Sequence, residues 1–335
     1  MFVTRLPNVR YLTGFSGSNG QLLLSDKGFI FLTDGRYTSQ AEREVEGASR
    51  RTYSQDLPAA FAEACRDLGA SRVGFEAAGV SFLTHQKLAG TGAAALVPVE
   101  DEVERLRWAK DTDEIALIER AQALTDEAFD RILPKLVEGI TEREAALEIE
   151  WSLRQAGADG LAFESIVGFG ENAAEPHHRP GGRELRRGDV VKMDFGAECV
   201  GYHSDMTRTV AFGEPAEELR EVHRIVLAAQ QVGREAIRAG VAAGEPDHRA
   251  RDVIEEAGYG GRFTHSLGHG VGLEIHEGPA LRAHSQEPLP AGAVVTVEPG
   301  VYLPGLGGVR IEDMVEVTEE GCREISTSSR ELIIL

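Results

Sequence analysis

The strongest constraint on the fold is an order of elements that occurs twice beyond residue 105. Two helical patterns are followed by strand-rich segments, and the whole order then recurs. Two capping boxes, Asp111 with Glu114 and Thr141 with Glu144, mark the starts of the first two helices. The first pass continues with strand-rich segments at 163–168, 188–197 and 201–212. The second pass has helices at about 216–239 and 247–257 and strands at 263–267, 271–276, 292–301 and 308–317. This recurrence predicts two structurally related halves that pack face to face.

The first hundred residues follow a different pattern, in which short apolar runs alternate with helical segments. Two strands are expected within 20–34, around a turn at 26–28. A helix at 57–68 and strands at 71–76 and 94–100 complete a small α/β domain. The fold class is therefore α+β, with a small α/β N-terminal domain over 1–104 and a larger C-terminal domain over 105–335. Two domains also suit a chain of 335 residues.

Composition excludes several classes of partner. The chain has 35 basic and 55 acidic residues and a formal net charge of −20, which argues against nucleic acid and anionic membranes as partners. No apolar run reaches the length of a membrane span, and the N-terminus lacks a signal-peptide pattern. Cys65, Cys199 and Cys322 are odd in number and far apart. We therefore expect free thiols and a cytoplasmic location.

The stretch DFGAECVGYHSD carries a pair of aspartates. If Cys199 and Val200 form the turn of a hairpin, Asp194 lies opposite Asp205, with Cβ atoms about 5 Å apart. Like charges opposite each other destabilise a sheet, so a cation between them is the natural remedy.

A second hairpin offers the same arrangement. Glu298 and Glu312 flank a turn at 304–308 and lie in the apolar contexts VVTVE and GVRIE. A single acidic residue in a strand is usually solvated on the outer face. Two matched pairs, in halves that face each other, instead predict four converging carboxylates that must be protonated or neutralised by metal.

Histidines are concentrated in two stretches. THSLGHGVGLEIHEGP contains His265, His269 and His276, and FESIVGFGENAAEPHHRP ends in His177 and His178. The glycines beside His269 suit a strand or a bulge next to a site. An imidazole joined to four carboxylates favours Mn²⁺, Co²⁺, Fe²⁺ or Zn²⁺ over Ca²⁺ or Mg²⁺. Four carboxylates can also bridge two ions about 3.5–4 Å apart, the usual spacing of hydrolytic two-metal sites.

Two other motifs carry little weight. GFGENA (168–173) does not lie cleanly between a strand and a helix, as a dinucleotide-binding loop would. GFSGSNG (14–20) lacks the strand–turn–helix context of a nucleophilic serine.

Five motifs, in order, resemble those of the pita-bread metallopeptidases, which include methionine aminopeptidase, aminopeptidase P and prolidase. They are GENAAEPHHRP, MDFGAECVGYHSDMTRT, THSLGHGVGLEIHEGP, TVEPGVY and GGVRIED. The phrases are most similar to the Xaa-Pro branch, aminopeptidase P and prolidase. The resemblance covers 105–335, and NVRYLTGFSGSNG with FLTDGRYTSQA resembles the smaller N-terminal domain of that branch. The implied C-terminal fold is the pita-bread fold, with pseudo-twofold halves.

The resemblance implies a dinuclear metal centre held by five residues. Asp194 matches the ligand that serves one ion alone, and Asp205 and Glu312 match the bridging ligands. His269 and Glu298 match the ligands of the other ion. The ions are expected to be Mn²⁺, with Co²⁺ or Zn²⁺ as alternatives.

The resemblance also implies roles around the substrate. His177, His265 and His276 match histidines that line the pocket, and His177 and His276 would hydrogen-bond the tetrahedral intermediate. Glu298 is the candidate proton shuttle for hydrolysis by a water activated between the ions. Arg310 could support the bridging carboxylates from behind or contact substrate.

One departure from the family pattern concerns recognition of a dipeptide. Ala280 stands where some prolidases carry an arginine thought to bind the carboxylate of proline, so a dipeptidase would need another cation here. Arg36, Arg179 and His178 are the candidates, and each could equally be an ordinary surface charge.

The function expected is therefore hydrolysis of the Xaa-Pro bond, preferentially in dipeptides, by a homodimeric enzyme. Aminopeptidase P activity on longer peptides is the alternative. A creatinase-like hydrolase without metal and an inactive binding module are more remote alternatives, because all five expected metal ligands are present.

Overall fold

The computed structural model describes residues 1–335. Contacts divide the chain into two units, Met1–Arg107 and Trp108–Leu335. The division falls inside the short helix Glu104–Trp108, three residues beyond the boundary predicted after residue 104.

The first unit is built on a mixed six-stranded sheet. Its elements are β1 (Phe2–Val3), α1 (Leu6–Thr13), β2 (Gln21–Ser25), β3 (Gly28–Asp34), α2 (Thr38–Glu44), β4 (Ser49–Tyr53), α3 (Leu57–Leu68), β5 (Arg72–Glu76), α4 (Phe82–Gly90), β6 (Ala95–Val99) and α5 (Glu104–Trp108). The strand order is β4-β3-β2-β1-β5-β6. Phe2 on β1 and Phe61 on α3 meet edge to face, with ring centroids 4.9 Å apart, in one core of this unit.

The second unit has two passes of two helices followed by strands. The first pass is α6 (Thr112–Ile132), α7 (Glu142–Ala156), β7 (Gly160–Leu161), β8 (Ile166–Phe169), β9 (Val190–Phe195), β10 (Ala197–Cys199), β11 (Tyr202–His203) and β12 (Met206–Ala211). The second pass is α8 (Glu217–Glu235), α9 (Glu245–Glu256), β13 (Gly268–Gly270), β14 (Glu277–Leu281), β15 (Val294–Val297), β16 (Gly300–Leu303), β17 (Gly307–Arg310), β18 (Asp313–Val317) and β19 (Cys322–Glu324). Sheets β12-β9-β8 and β14-β13-β15-β18-β19 are the main sheets of the two passes.

Local signals fix the helix pairs, and each pair covers its own core. Both capping boxes form. The side chains of Asp111 and Thr141 accept backbone N–H groups of the first turn, and the side chains of Glu114 and Glu144 accept the backbone N–H groups of Asp111 and Thr141. Buried apolar residues of α6 and α7 pack on β8, β9 and β12 in one cluster. Those of α8 and α9 pack on β15, β17 and β18 in a second cluster. The predicted α+β fold with two related halves is confirmed.

The halves join where β12 and the β16–β17 hairpin approach each other. The backbone N–H of Glu312 donates to the carbonyl of Thr207 (3.1 Å), and the hydroxyl of Thr209 donates to the carbonyl of Arg310 (3.0 Å). Gly308 permits close packing on the first half, because a Cβ atom there would lie 2.3 Å from the carbonyl oxygen of Ala173. These contacts hold the carboxylate-bearing strands of the two halves side by side.

The register of the first hairpin corrects one prediction. Thr207, not Asp205, pairs with Asp194. The turn is formed by Val200 and Gly201, both with positive φ (48° and 77°), so it lies one residue later than expected. Two positive φ values in a two-residue turn match the right-handed twist of the flanking strands. The pairing moves by two residues, and Asp194 and Asp205 become diagonal rather than direct neighbours.

The second hairpin keeps the predicted pairing. Val297 pairs with Asp313 and Gly300 with Arg310, so the continued register places Glu298 opposite Glu312. The turn is shorter than expected, since β17 resumes at Gly307.

Two predicted strands, 263–267 and 271–276, are wrong, because both segments are irregular. The polar backbone groups of the first are bonded by side chains of α9 instead of a neighbouring strand. Arg251 donates to the carbonyls of Phe263 and His265 (both 2.9 Å), and Asp247 accepts from the N–H of Leu267 (2.8 Å). The ladder is confined to the short strand between the two segments, which contains a register shift.

The helices of the structure are too short or too polar to cross a membrane.

Candidate metal centre and substrate pocket

A cavity of about 580 Å³ opens between the two halves of the second unit, a volume within the range of small-molecule sites. Strands and loops of both halves contribute to its wall. Nine residues singled out in the sequence line it: His177, Asp194, Asp205, His265, His269, His276, Glu298, Arg310 and Glu312. The fold therefore gathers in one place groups that are far apart in the chain.

Three side chains at the cavity floor form the tightest cluster. One ligand atom from each of Asp205, His269 and Glu312 lies within 4.8 Å of the others. The Nε2 atom of His269 is 3.5 Å from Oδ2 of Asp205 and 3.5 Å from Oε1 of Glu298. These distances are too long for good hydrogen bonds. They nevertheless bring four side chains that can bind a metal around one point, namely Asp205, His269, Glu298 and Glu312.

The hydrogen bonds of His269 fix which ring nitrogen faces that point. Its Nδ1 atom lies 3.1 Å from the carbonyl oxygen of Gly270, which can only accept, so Nδ1 carries the proton. Burial, with the charge of His276, lowers the pKa of His269 to about 4, so the ring is neutral at pH 7. The lone pair of Nε2 is therefore directed at the carboxylates, as in histidines that bind metal.

The carboxylates raise one another's pKa values. Burial, followed by repulsion from Glu312, Asp194 and Glu298, raises the pKa of Asp205 well above its usual range. Burial and repulsion from Glu298 and Asp194 do the same for Glu312. Burial raises the pKa of Glu298 to about 7. Such a cluster either holds protons or binds cations.

Asp194 is held by Arg310, on the strand β17 of the other half. Its Oδ2 atom accepts from the buried guanidinium of Arg310, while its buried Oδ1 atom has no hydrogen-bond donor. A buried, unpaired carboxylate oxygen is costly in the absence of a cation. The geometry thus leaves one oxygen of Asp194 free to bind an ion.

Arg310 supports the other side of the cluster through a threonine. Its Nε atom donates to the hydroxyl of Thr207 (2.9 Å), and that hydroxyl donates to Oε2 of Glu312 (2.6 Å). Arg310 therefore contacts Asp194 directly and Glu312 through Thr207. Its charge also offsets part of the repulsion between them.

The residues present fit two divalent cations. Four carboxylates and one imidazole supply oxygen and nitrogen donors of the kind that Mn²⁺, Co²⁺ or Zn²⁺ binds. The unpaired oxygen of Asp194 and the bare Nε2 of His269 are both explained by ions between the strands.

The remaining histidines surround this cluster. His265 bonds through Nε2 to the hydroxyl of Tyr302 (2.8 Å), and burial lowers its pKa to about 3. The ring of His276 packs edge to face on His269, with centroids 4.2 Å apart, and burial lowers its pKa. His177 is exposed at the cavity wall. The neutral imidazoles of His265 and His276 can donate a hydrogen bond to substrate or accept one from it.

Three proposed cations do not line the cavity. Arg36 belongs to the first unit, where it pairs with Asp34 (2.8 Å). His178 faces away from the cavity, toward Glu142 and Glu175, and Arg179 is exposed outside it.

Sequence reasoning missed four residues that the fold brings to the site. Lys192, Thr207, Tyr302 and Arg282 were not singled out, although the first three bond directly to site residues or to the carbonyl beside His177. Arg282 lines the cavity and, unlike Arg310, makes no ion pair. One signal was available: Arg282 lies two residues after Ala280, and alternate residues of a strand share a face.

Two family models match the chain. That of metallopeptidase family M24 matches residues 116–319, and that of the creatinase/prolidase N-terminal domain matches residues 1–108. The first match spans more than half of the chain and contains the cluster.

Individual proteins agree with these matches. The Xaa-Pro dipeptidase of Pyrococcus furiosus is 43% identical over 235 residues, 70% of this chain and 68% of that protein. The solved structure of an Xaa-Pro dipeptidase from Bacillus anthracis superposes with a TM-score of 0.98 at 40% identity and covers 100% of this chain and 94% of the other. An X-Pro aminopeptidase from Thermotoga maritima gives a TM-score of 0.93 at 36% identity, with 100% and 97% covered. From the family match and these similarities, the chain belongs to metallopeptidase family M24, as a prolidase-like member with a creatinase/prolidase N-terminal domain.

Proposed function

We propose that this metallopeptidase hydrolyses the peptide bond before proline, preferentially in dipeptides, with two divalent ions. The observation that carries the proposal is the cluster itself, in which a bare imidazole nitrogen and three carboxylates meet at the floor of a cavity that Asp194 also lines. The similarity of the chain to Xaa-Pro dipeptidases supports the choice of substrate.

Family membership implies divalent metal ions, and five residues would hold them. In our proposal Asp194 would serve one ion, His269 and Glu298 would serve the other, and Asp205 and Glu312 would serve both. When bound, the ions would polarise the scissile carbonyl and lower the pKa of a water molecule. We further propose Mn²⁺ as the native metal.

The substrate would be oriented by its charges. Its free α-amino group would lie toward the acidic cluster, which favours cleavage of the first peptide bond of a chain. A bond before proline has no N–H group, so no acceptor is needed at that nitrogen. Arg282 lines the cavity without an ion pair of its own and would bind the terminal carboxylate of a dipeptide.

Proton transfer is assigned to Glu298. In the metal-free cluster burial raises its pKa to about 7, and as a carboxylate beside the attacking water it can take a proton from that water. The water oxygen bonds to the carbonyl carbon, the carbon–nitrogen bond breaks, and the proton passes to the proline nitrogen. His177 and His276 would stabilise the negative oxygen formed on the carbonyl.

Aminopeptidase P activity on longer peptides is the second candidate. The high similarity to the X-Pro aminopeptidase of Thermotoga maritima favours it. We also propose that the enzyme is a cytoplasmic homodimer.

The deciding experiment compares a Xaa-Pro dipeptide with the matched Xaa-Pro-Xaa tripeptide in the presence of added Mn²⁺. We expect a higher kcat/KM for the dipeptide. Cleavage of the tripeptide alone would exclude the dipeptidase proposal and leave the aminopeptidase, and cleavage of neither would exclude both.

A further inference from the structure

A buried carboxylate lies at the start of the second helix of the first half. Glu142 is the first residue of α7 and is fully buried. It accepts four hydrogen bonds: from the backbone N–H of Phe169 (3.0 Å), the amide of Asn172 (2.8 Å), the ring of His178 (2.9 Å) and the backbone N–H of Gly181 (3.0 Å). All four donors belong to the segment 169–181.

That segment carries His177, which lines the cavity but makes no hydrogen bond with its own ring. The next residue, His178, is held at both ring nitrogens: Nε2 by Glu142 (2.9 Å) and Nδ1 by Glu175 (2.8 Å). Carboxylates can only accept, so both nitrogens carry protons and the ring is a cation. The side of the segment that faces α7 is therefore fixed by charge-assisted bonds.

The other side of the segment is held from the sheet. The carbonyl of Pro176 accepts from Lys192 (3.3 Å) and from Arg310 (3.3 Å). His177 thus lies between two fixed residues, and the direction of its side chain is set by bonds that it does not make itself.

The second half also has a buried acidic side chain near the start of its second helix. Asp247, in the first turn of α9 and fully buried, accepts from the backbone N–H of Leu267 (2.8 Å). The carbonyl of Leu267 in turn accepts from the N–H of Glu298 (2.8 Å). In each half, a buried acid at the start of the second helix holds the irregular segment that leads to the site.

We propose that Glu142, acting through His178, is a positioning residue that sets the orientation of His177 toward the substrate. This inference rests on the proposed function, because His177 is given its role there. A carboxylate is required at this position, since an amide of the same shape would turn an N–H group either toward the donors of Gly181 and His178 or toward those of Phe169 and Asn172.

The test is Glu142→Gln, with Glu144→Gln as the matched control. Glu144 lies in the same helical turn, but its carboxylate is exposed and bonds only to Thr141. We expect Glu142→Gln to lower kcat about tenfold, within the range caused by small misplacements, with KM nearly unchanged and the control near wild type.

A double-mutant cycle separates positioning from general loosening of the fold. In a His177→Ala background, Glu142→Gln should lower kcat by less than about twofold, because the residue that it positions is gone. An unreduced tenfold effect in that background would overturn the proposal. If Glu142→Gln does not fold, His178→Gln replaces it in the same double-mutant cycle with His177→Ala, because His178 is the more exposed member of the Glu142–His178 pair.

Amide hydrogen exchange tests the hydrogen bonds between Glu142 and the segment 169–181 without a measurement of activity. The N–H of either Gly181 or Phe169 should exchange at least about tenfold faster in Glu142→Gln than in Glu144→Gln, because the amide nitrogen that replaces one carboxylate oxygen cannot accept from it. Equal rates would overturn the proposal, whereas lack of activity in the wild-type enzyme would overturn only the proposed function.

Discussion

The Nε2 atom of His269 lies 3.5 Å from a carboxylate oxygen of Asp205, and that nitrogen carries no proton of its own. The proton of the ring is on Nδ1, bonded to the carbonyl of Gly270, and burial lowers the pKa of the ring to about 4. The lone pairs of His269 Nε2 and of the Asp205 carboxylate face each other in a buried cluster. A cation that binds both atoms stabilises this arrangement. Each prediction about the metal centre follows from this relationship.

Substitution Asp205→Asn should abolish activity without unfolding the protein. The amide removes a charge that would bridge two ions, and we expect kcat to fall by more than a hundredfold, about the largest loss seen for outer-shell partners of a metal. Metal content per chain, measured by elemental analysis, should fall in parallel.

The fold of this variant should survive because the metal-free cluster is repulsive. Removing one of its charges relieves Glu312 and Glu298, so the melting temperature without metal should be equal or higher. Wild-type turnover by Asp205→Asn would contradict the bridging role.

Metal should stabilise the protein more at high pH than at low pH. The folded-state pKa values of Asp205 and Glu312 are raised, and that of Glu298 is about 7. The stability that such groups contribute is present below their unfolded pKa and is lost as pH rises through the folded pKa. Bound cations remove this loss, and protons compete with them at low pH.

We therefore expect the rise in melting temperature on adding Mn²⁺ to increase from about pH 5 to about pH 8. Differential scanning fluorimetry with and without a chelator measures it. A rise that is independent of pH would contradict the assignment of these carboxylates as ligands.

Substitution His276→Ala should affect turnover more than binding. If its neutral ring stabilises the oxygen formed during hydrolysis, kcat should fall about 10²–10³-fold with little change in KM. Metal content should stay near wild type, because His276 contacts the ligand His269 only through ring packing. Loss of metal together with activity would instead indicate a structural role.

Substitution Arg282→Met should change the choice of substrate. The variant should lose about tenfold in kcat/KM for a Xaa-Pro dipeptide, a modest loss because the exposed guanidinium is screened by solvent. The dipeptide with an amidated C-terminus should be unaffected, and Arg179→Met, outside the cavity, should behave as wild type. Equal losses for acid and amide would show that Arg282 does not bind the carboxylate.

The pair Glu142–His178 should stabilise the protein most in mildly acidic solution. Burial opposes both charges. Hydrogen bonds to Glu175 and Glu142 outweigh it for His178, whose pKa is raised, and hydrogen bonds from the N–H of Phe169 and the ring of His178 outweigh it for Glu142, whose pKa is lowered. The histidine's contribution is present below its unfolded pKa and is lost as pH rises through the folded pKa. That of the glutamate is present above its unfolded pKa and is lost as pH falls through the folded pKa.

Chemical denaturation of wild type and His178→Gln measures this contribution. The difference in free energy of unfolding should be larger at about pH 6 than at about pH 9. A constant difference would mean that the ring of His178 is not charged in the folded protein.

Much of the site could be predicted because its residues have matched local contexts. Acidic residues at the ends of apolar strands, and histidines among glycines, indicated a buried polar cluster before any coordinates were known. The approach of Glu298 and Glu312 was also expected, because both lie in apolar strand contexts on either side of a glycine-rich turn.

Pairing in the other hairpin could not be predicted in the same way. A shift of two residues keeps every side chain on its own face, so alternation fits Asp205 and Thr207 equally well as the partner of Asp194. The conformation of the turn at Val200 and Gly201 decides between them.

The sequence by itself determined the starts of α6 and α7, the two related halves and the donor types at the site, because capping residues, periodicity and apolar context act over a few residues. Only the tertiary structure decided which groups meet. Arg310 holds Asp194 across the two halves, Glu142 holds the segment of His177, and side chains of α9 replace the strand expected at 263–267. These contacts join residues far apart in the chain, so they depend on how the two halves pack, and no local pattern specifies that.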